Sequence, residues 1–124
     1  MVNTCFRIFA GIYRTWDGAR DYCLRQGADL AVVDSETKRK AIANRIIHIY
    51  TTRLFIGLRK KGASWQWFGG KTISSAFWHP GFPNRGACVA LDKRSHDWKL
   101  FTTSCVRNHG FLCQTTERKY FLLV

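Results

Sequence analysis

Acidic side chains are scarce in this chain. Eight Asp and Glu stand against twenty Lys and Arg, a formal net charge of +12 over 124 residues. A field of that sign attracts polyanions and speeds their capture at low salt. Sulfated glycans, nucleic acid, anionic bacterial envelopes and acidic proteins all qualify as partners. Long apolar runs are also missing. The longest stretches, such as Phe121–Val124, are far too short to span a bilayer. The first residues, MVNTCFR, lack the charged-then-apolar pattern of an export signal, so any such signal is expected to have been removed or to lie outside this chain. No CxxC pair is present, which speaks against zinc-finger and thioredoxin chemistry. No serine or cysteine nucleophile has a recognisable base, and Gly69-Gly70 lacks the rest of a phosphate-cradling loop. Catalysis thus has little support. No nucleic-acid motif accompanies the charge, and repeats and low-complexity stretches are absent.

What is present points to one ordered domain. Hydrophobic residues make up 46% of the chain and aromatics 15%, which excludes general disorder and supplies a real core. Five cysteines in so short a chain suggest an oxidising compartment. The charge is unevenly placed. Residues 1–36 carry four bases and five acids, whereas residues 37–124 carry sixteen bases and only three acids.

Local patterns divide the chain into elements. Cys5–Tyr13 alternates apolar and polar residues and reads as strand, turn and strand edge, with Gly11 as the break. Thr15 caps a helix that Gly27 ends, with Trp16, Ala19, Cys23 and Leu24 on its buried face. Gly27–Asp34 reads as a short strand or extended link. Ser35 caps a second helix, SETKRKAIANRIIHIY. Ile42, Ala43, Ile46, Ile47 and Tyr50 form its apolar stripe, and Lys38, Arg39, Lys40 and Arg45 lie on or near the wet side. Leu54–Leu58 suits a fully buried strand, and Ser64–Phe68 alternates before the Gly69-Gly70 turn. Residues 70–86 have no clear period and read as a long ordered loop, a usual place for function. Cys88–Leu91 and Gly110–Gln114 read as closing strands.

The strings TWDGARDYC, GADLAVVDS, FIGL, WQWFGG, FWHPGFPN, ACVAL and GFLCQ occur in this order between about residues 5 and 115. In that order and spacing the chain resembles a C-type lectin-like domain. The resemblance implies a single α+β domain over residues 1–124, with a short tail at 116–124. Its two helices, small antiparallel sheets and long disulfide-clamped loop are those of the C-type lectin-like fold. Four cysteines allow three pairings by sequence alone. The resemblance implies Cys23–Cys113, tying the first helix to the last strand, and Cys88–Cys105, clamping the loop. Closing that shorter loop is worth about 3 kcal/mol. Cys5 resembles the second cysteine of an extra N-terminal pair in long-form members, whose partner would lie upstream. It is expected to be free or to bridge two chains.

Calcium-dependent members bind sugar through a metal that takes about six to eight oxygen ligands, several of them carboxylates. The usual Glu-Pro-Asn of the family reads Phe82-Pro83-Asn84 here, and the usual Trp-Asn-Asp falls on Leu100-Phe101-Thr102. Only Asn84 matches, so no calcium cofactor is expected. Pro83 is expected to remain a turn former, with the cis bond that the family implies. Asp92 and Asp97 are the nearest remaining acids, expected to be solvated or paired with Lys93, Arg94 or Lys99. His79 and His96, with Asp97, are residue types that bind zinc if folding brings them together; solvated loop histidines are the plainer expectation. His48 and His109 read as structural or surface residues.

Trp65, Trp67, Phe68, Phe77, Trp78, Phe82 and Trp98 gather around the loop. Most are expected in the core, with Trp78 and Phe82 as the candidates for exposure and ligand contact. Arg59, Lys60, Lys61, Lys71, Arg85, Lys93, Arg94, Lys99 and Arg107 flank the same region. Arginine forks hold sulfate, phosphate or carboxylate in two-point contacts. The pattern is similar to basic, calcium-independent members of the family, which imply binding to sulfated glycosaminoglycans. The expected activity is therefore extracellular, calcium-independent pattern recognition of anionic glycans or microbial surface polymers. Arg59, Lys60, Lys61, Lys71, Arg85, Lys93 and Arg94 would supply charge, and Trp78, Phe82 and Asn84 shape. The alternatives are a protein-binding module, a homodimer linked through Cys5, and a calcium lectin with a noncanonical site.

Overall fold

Two local side-chain hydrogen bonds start the helices. In a computed structural model describing residues 4–46, 49, 51–68, 78–94 and 98–115, the Thr15 hydroxyl accepts the Gly18 N–H at 3.2 Å and opens helix α1, Trp16–Arg25. The Ser35 hydroxyl accepts the Lys38 N–H at 3.1 Å and opens α2, Glu36–Arg45. Asp17 and Glu36 sit in the first turns and Arg25 and Arg45 in the last, each complementing the helix dipole. Gly27, at φ 73°, takes the chain out of α1.

Trp16, Ala19 and Cys23 form the buried face of α1. Leu24 does not join them. It is 51% exposed, because one further residue rotates about 100° around the helix and away from the sheet. The second helix departs further from expectation. It ends at Arg45 with Ile46 as its cap, while Ile47, His48 and Tyr50 lie outside the described residues. Arg39, expected on the wet side, is only 4% exposed. It lies one helical turn before buried Ile42, and its guanidinium is held by both carboxylate oxygens of Glu36, with Nε–Oε2 at 3.0 Å. That two-point pair makes the burial tolerable. The Arg39 hydrogen bond, more than any other influence, holds the Glu36 carboxyl below its usual range.

The strands are β1 (Cys5–Arg14), β2 (Asp29–Leu30), β3 (Arg53–Lys61), β4 (Ser64–Trp67), β5 (Cys88–Asp92), β6 (Lys99–Thr103) and β7 (His109–Thr115). They form one sheet in the order β1-β7-β3-β5-β6, with β2 paired to β7 and β4 to β3. β3 and β7 are parallel, and the other pairs are antiparallel. Strand β1 runs unbroken through Gly11; only its register against β7 shifts, between Phe9 and Arg14. β6 was not expected, since KLFTT becomes a strand only by pairing with β5. Among the described residues no helix is long and apolar enough to cross a membrane.

β3 shows why the run LFIGL is buried on both sides. Leu54, Ile56 and Leu58 face one cluster with Ile42, Ile46 and Leu91, whereas Phe55 faces another with Trp16, Cys23 and Phe111. Each such Leu, Ile or Phe contributes about 1.5–3 kcal/mol when buried. Gly57 lies on the Phe55 side, where a Cβ would come within 2.6 Å of the Phe68 ring. Two disulfides fasten this frame. Cys23–Cys113 joins α1 to β7 across 90 residues, and Cys88–Cys105 closes 17 residues around β5 and β6. Cys5 is a half-buried free thiol on β1, opposite Thr115.

Candidate functional site

The segment after Trp78 folds down onto β6. A bridge pairs Trp78 with Leu100, the His79 N–H donates to the Leu100 carbonyl at 3.0 Å, and the Phe82 N–H donates to the His79 carbonyl at 3.1 Å. Gly81 takes φ 88° and the Phe82–Pro83 peptide is cis, so the chain reverses within a few residues. The turn is then pinned at Asn84. Thr102 Oγ1 accepts the Asn84 N–H at 3.1 Å and donates to Asn84 Oδ1 at 2.6 Å.

This arrangement brings Phe82 against Phe101, with ring centroids 4.9 Å apart. The Arg94 guanidinium lies 5.3 Å from the centroid of each ring, and that of Arg53 lies 4.2 Å from Phe101. A guanidinium over an aromatic face is held by the ring quadrupole. Asp92, only 3% exposed, fixes both arginines from behind. Arg53 Nε lies 3.0 Å from its Oδ2 and Arg94 Nε 3.4 Å from its Oδ1, which also accepts the Arg94 N–H at 3.0 Å. Two cations around one anion leave the cluster net positive, and the Arg94 side chain is half-exposed.

Several expected site residues lie elsewhere. Trp78, expected at the surface, is 9% exposed and meets the edge of Trp65 at 5.5 Å, because its bridge to Leu100 turns the ring into the core. His79, expected in solvent, is buried with Nε2 2.9 Å from the Asp92 main-chain oxygen. Lys93 is half-buried and gives its Nζ to the Ile49 carbonyl at 3.0 Å. Asn84 and Arg85 are exposed beside the turn. Lys71, Phe77, His96, Asp97, the Gly69-Gly70 turn and the tail from 116 lie outside the described residues. Among the described residues no three His, Cys, Asp or Glu side chains gather as a metal-binding group. His109 is structural. Burial first, then the Arg53 and Arg107 charges, push its imidazole down to about 4, and its Nε2 lies 3.1 Å from Thr103 Oγ1.

Arg59, Lys60 and Lys61 form a separate group with Arg20. Arg53 stands opposite Asp92 and Arg59 opposite Cys88, towards opposite ends of β3, with a register irregularity between Phe55 and Arg59. Their partners are only four residues apart on β5, so the separation is about 13–20 Å. At the Arg59 end, β3 and β4 form a hairpin in which Lys61 pairs with Ser64 and Gly62 takes φ 63°. The hairpin and α1 enclose an open cleft of about 660 Å³, lined by Asp17, Arg20, Arg59, Lys60, Lys61 and Gln66, with Trp16, Gly62, Trp67 and Phe68.

Arg53 and Arg20 were not expected as site residues. Arg53 abuts the buried run LFIGL, and Arg20 falls one helical turn after Trp16; both signals are faint without the tertiary pairing.

Three comparisons bear on this geometry. The model of the Lectin C-type domain matches residues 12–115. Salivary C-type lectin 1 of Aedes albopictus is 32% identical over 122 residues, covering 86% of this chain and 79% of the mosquito protein. One chain of the snaclec coagulation factor IX/factor X-binding protein of Gloydius halys is 29% identical, covering 89% of this chain and 76% of its own. Among solved structures, the C-type lectin domain of murine dendritic cell inhibitory receptor 2, in complex with N-glycan, superposes with a TM-score of 0.82 at 25% identity, covering 94% of each chain. The fold is thus that of a known domain type, and this chain belongs to the Lectin C-type domain family.

Proposed function

We propose that this domain is an extracellular binding module that recognises anionic glycans without calcium. The observation that carries the reading is the Arg94 guanidinium, half-exposed over Phe82 and Phe101 and anchored on buried Asp92. Calcium fits poorly at this turn. Asn84 Oδ1 is taken up by the Thr102 hydroxyl, and Phe82 and Phe101 present rings where a metal needs oxygen. A fixed arginine offers an anionic ligand paired N–H donors, which suits sulfate and carboxylate groups. The net charge of +12 adds attraction at longer range. The disulfides fit an oxidising, extracellular setting, and the N-glycan complex of the murine receptor domain supports a glycan ligand.

The test is binding of a sulfated glycan in chelator to the wild type, Arg94→Ala and Arg94→Lys. Losing the fork is expected to weaken binding about tenfold, with lysine recovering part of it. Equal affinity in all three removes Arg94 from the site.

A protein ligand is the second reading, favoured by the relative whose name describes binding to coagulation factors. Under it, Phe82→Ala costs more binding than Arg94→Ala, since aromatic anchors dominate such contacts.

A further inference from the structure

The cleft at the far end of β3 belongs to no part of the turn described above. Its wall is built from arginines lying over aromatic rings. Arg59 Cζ lies 4.7 Å from the centroid of the Trp16 ring, and Arg20 Cζ lies 4.2 Å from that of Phe68. Both rings are themselves fixed. Trp16 is fully buried and donates its Nε1–H to the Ile56 carbonyl at 2.9 Å. Phe68 packs on Trp16 with centroids 5.8 Å apart. Asp29 clamps Arg20 through Nε and Nη2 at 3.2 and 3.3 Å, leaving its other N–H groups for a ligand. Lys60 and Lys61 stand exposed at the hairpin, and Gln66, opposite Arg59, adds a neutral polar contact.

We propose that this cleft is a second seat for a sulfated polysaccharide, formed by Arg20, Arg59, Lys60, Lys61 and Gln66 and separate from the cis-proline turn. The proposal rests on the anionic-glycan reading above and gives it a location. Three features select the ligand class. Guanidinium groups held on rings present their N–H edges without further loss of side-chain freedom, which favours oxyanions. The faces of Trp16 and Phe68 are already covered by those guanidiniums, so neither offers the stacking surface that single-stranded nucleic acid uses. The cleft is open and lies about 13–20 Å along the sheet from the Arg53 end, so an extended polymer is the ligand that reaches both regions.

The cleft also contains its own competitor. Asp17 Oδ1 lies 3.7 Å from Arg59 Nη1, and its side chain is largely exposed. Neutralising it frees Arg59 for the ligand.

The test measures binding of a size-defined heparin oligosaccharide in chelator, beside an unsulfated uronic-acid polymer. Lys60→Glu and Arg59→Ala are each expected to weaken heparin binding about tenfold. Arg59→Lys should recover part of that loss. Asp17→Asn should tighten binding several-fold, whereas Asp21→Asn, the same charge change outside the cleft lining, should not. Lys40→Glu on α2 controls for net charge alone. Thermal unfolding checks that Arg59→Ala still folds; exposed Lys60 carries the test if it does not. If the cleft variants match their controls while the wild type binds heparin, the cleft is overturned and the anionic-glycan reading stands. If the wild type does not bind heparin, both fall. Equal binding of the unsulfated polymer overturns the sulfate assignment.

Discussion

The hydroxyl of Thr102 holds Asn84 from both sides, accepting its main-chain N–H at 3.1 Å and donating to its side-chain oxygen at 2.6 Å. One small side chain thereby organises the turn after Pro83. Replacing it with the isosteric Thr102→Val leaves both Asn84 groups without that partner. The expected cost is about 1–2 kcal/mol of stability, read by denaturant unfolding. The variant should unfold identically with calcium and with chelator.

Asp92 is the hub behind the same turn. Asp92→Asn keeps the shape but leaves the Arg53 and Arg94 guanidiniums without their anion. Both arginines are partly exposed, which limits the penalty. A loss of about 2 kcal/mol is expected, with a larger loss for Asp92→Ala. A double variant with Arg53→Met should be less destabilised than the sum of its parts, since the surplus charge is gone.

Gly57 sits where a Cβ would fall 2.6 Å from two Phe68 ring carbons and 3.0 Å from the Leu30 carbonyl. Gly57→Ala should therefore destabilise by about 1–3 kcal/mol through overpacking. Adding Phe68→Leu should return part of that loss. The same double change removes the ring beneath Arg20, so it should weaken binding in the cleft while the fold recovers.

Burial and the Arg53 and Arg107 charges lower the His109 pKa to about 4 in the folded chain. The unfolded chain takes up this proton near the ordinary histidine value of about 6.5. Between these limits the unfolded state binds more protons, so stability falls with falling pH. It is full above about pH 6.5 and is lost down to about pH 4, by an amount on the order of 2 kcal/mol after solvent screening. His109→Gln should flatten the stability profile in that window. The Glu36 carboxyl, lowered by Arg39, adds a further loss below its ordinary range, which Glu36→Gln should remove.

What the sequence made legible were local signals. Thr15 and Ser35 cap helices through hydrogen bonds three residues away, and a short-range pattern is enough to find them. The string Phe82-Pro83-Asn84 marked a turn, and the chain has its cis Phe82–Pro83 bond there. What stayed hidden depends on pairing across the chain. Arg53 meets Asp92 only through the register of β3 and β5, 39 residues apart in sequence. Lys99–Thr103 becomes a strand only at the free edge of β5. Arg39 looked solvated because charge normally is, but Glu36 one turn earlier satisfies it inside. Trp78 looked exposed because loops usually are, whereas its bridge to Leu100 folds it inward.

The most direct test is a panel of sulfated and neutral glycans bound in calcium and then in chelator, over a salt series. Binding to sulfated glycans that survives chelation and fades as salt rises is expected from the arginines at the turn and in the cleft. Binding to neutral sugars that the chelator abolishes would contradict calcium-independent recognition and return a metal to the Pro83 turn.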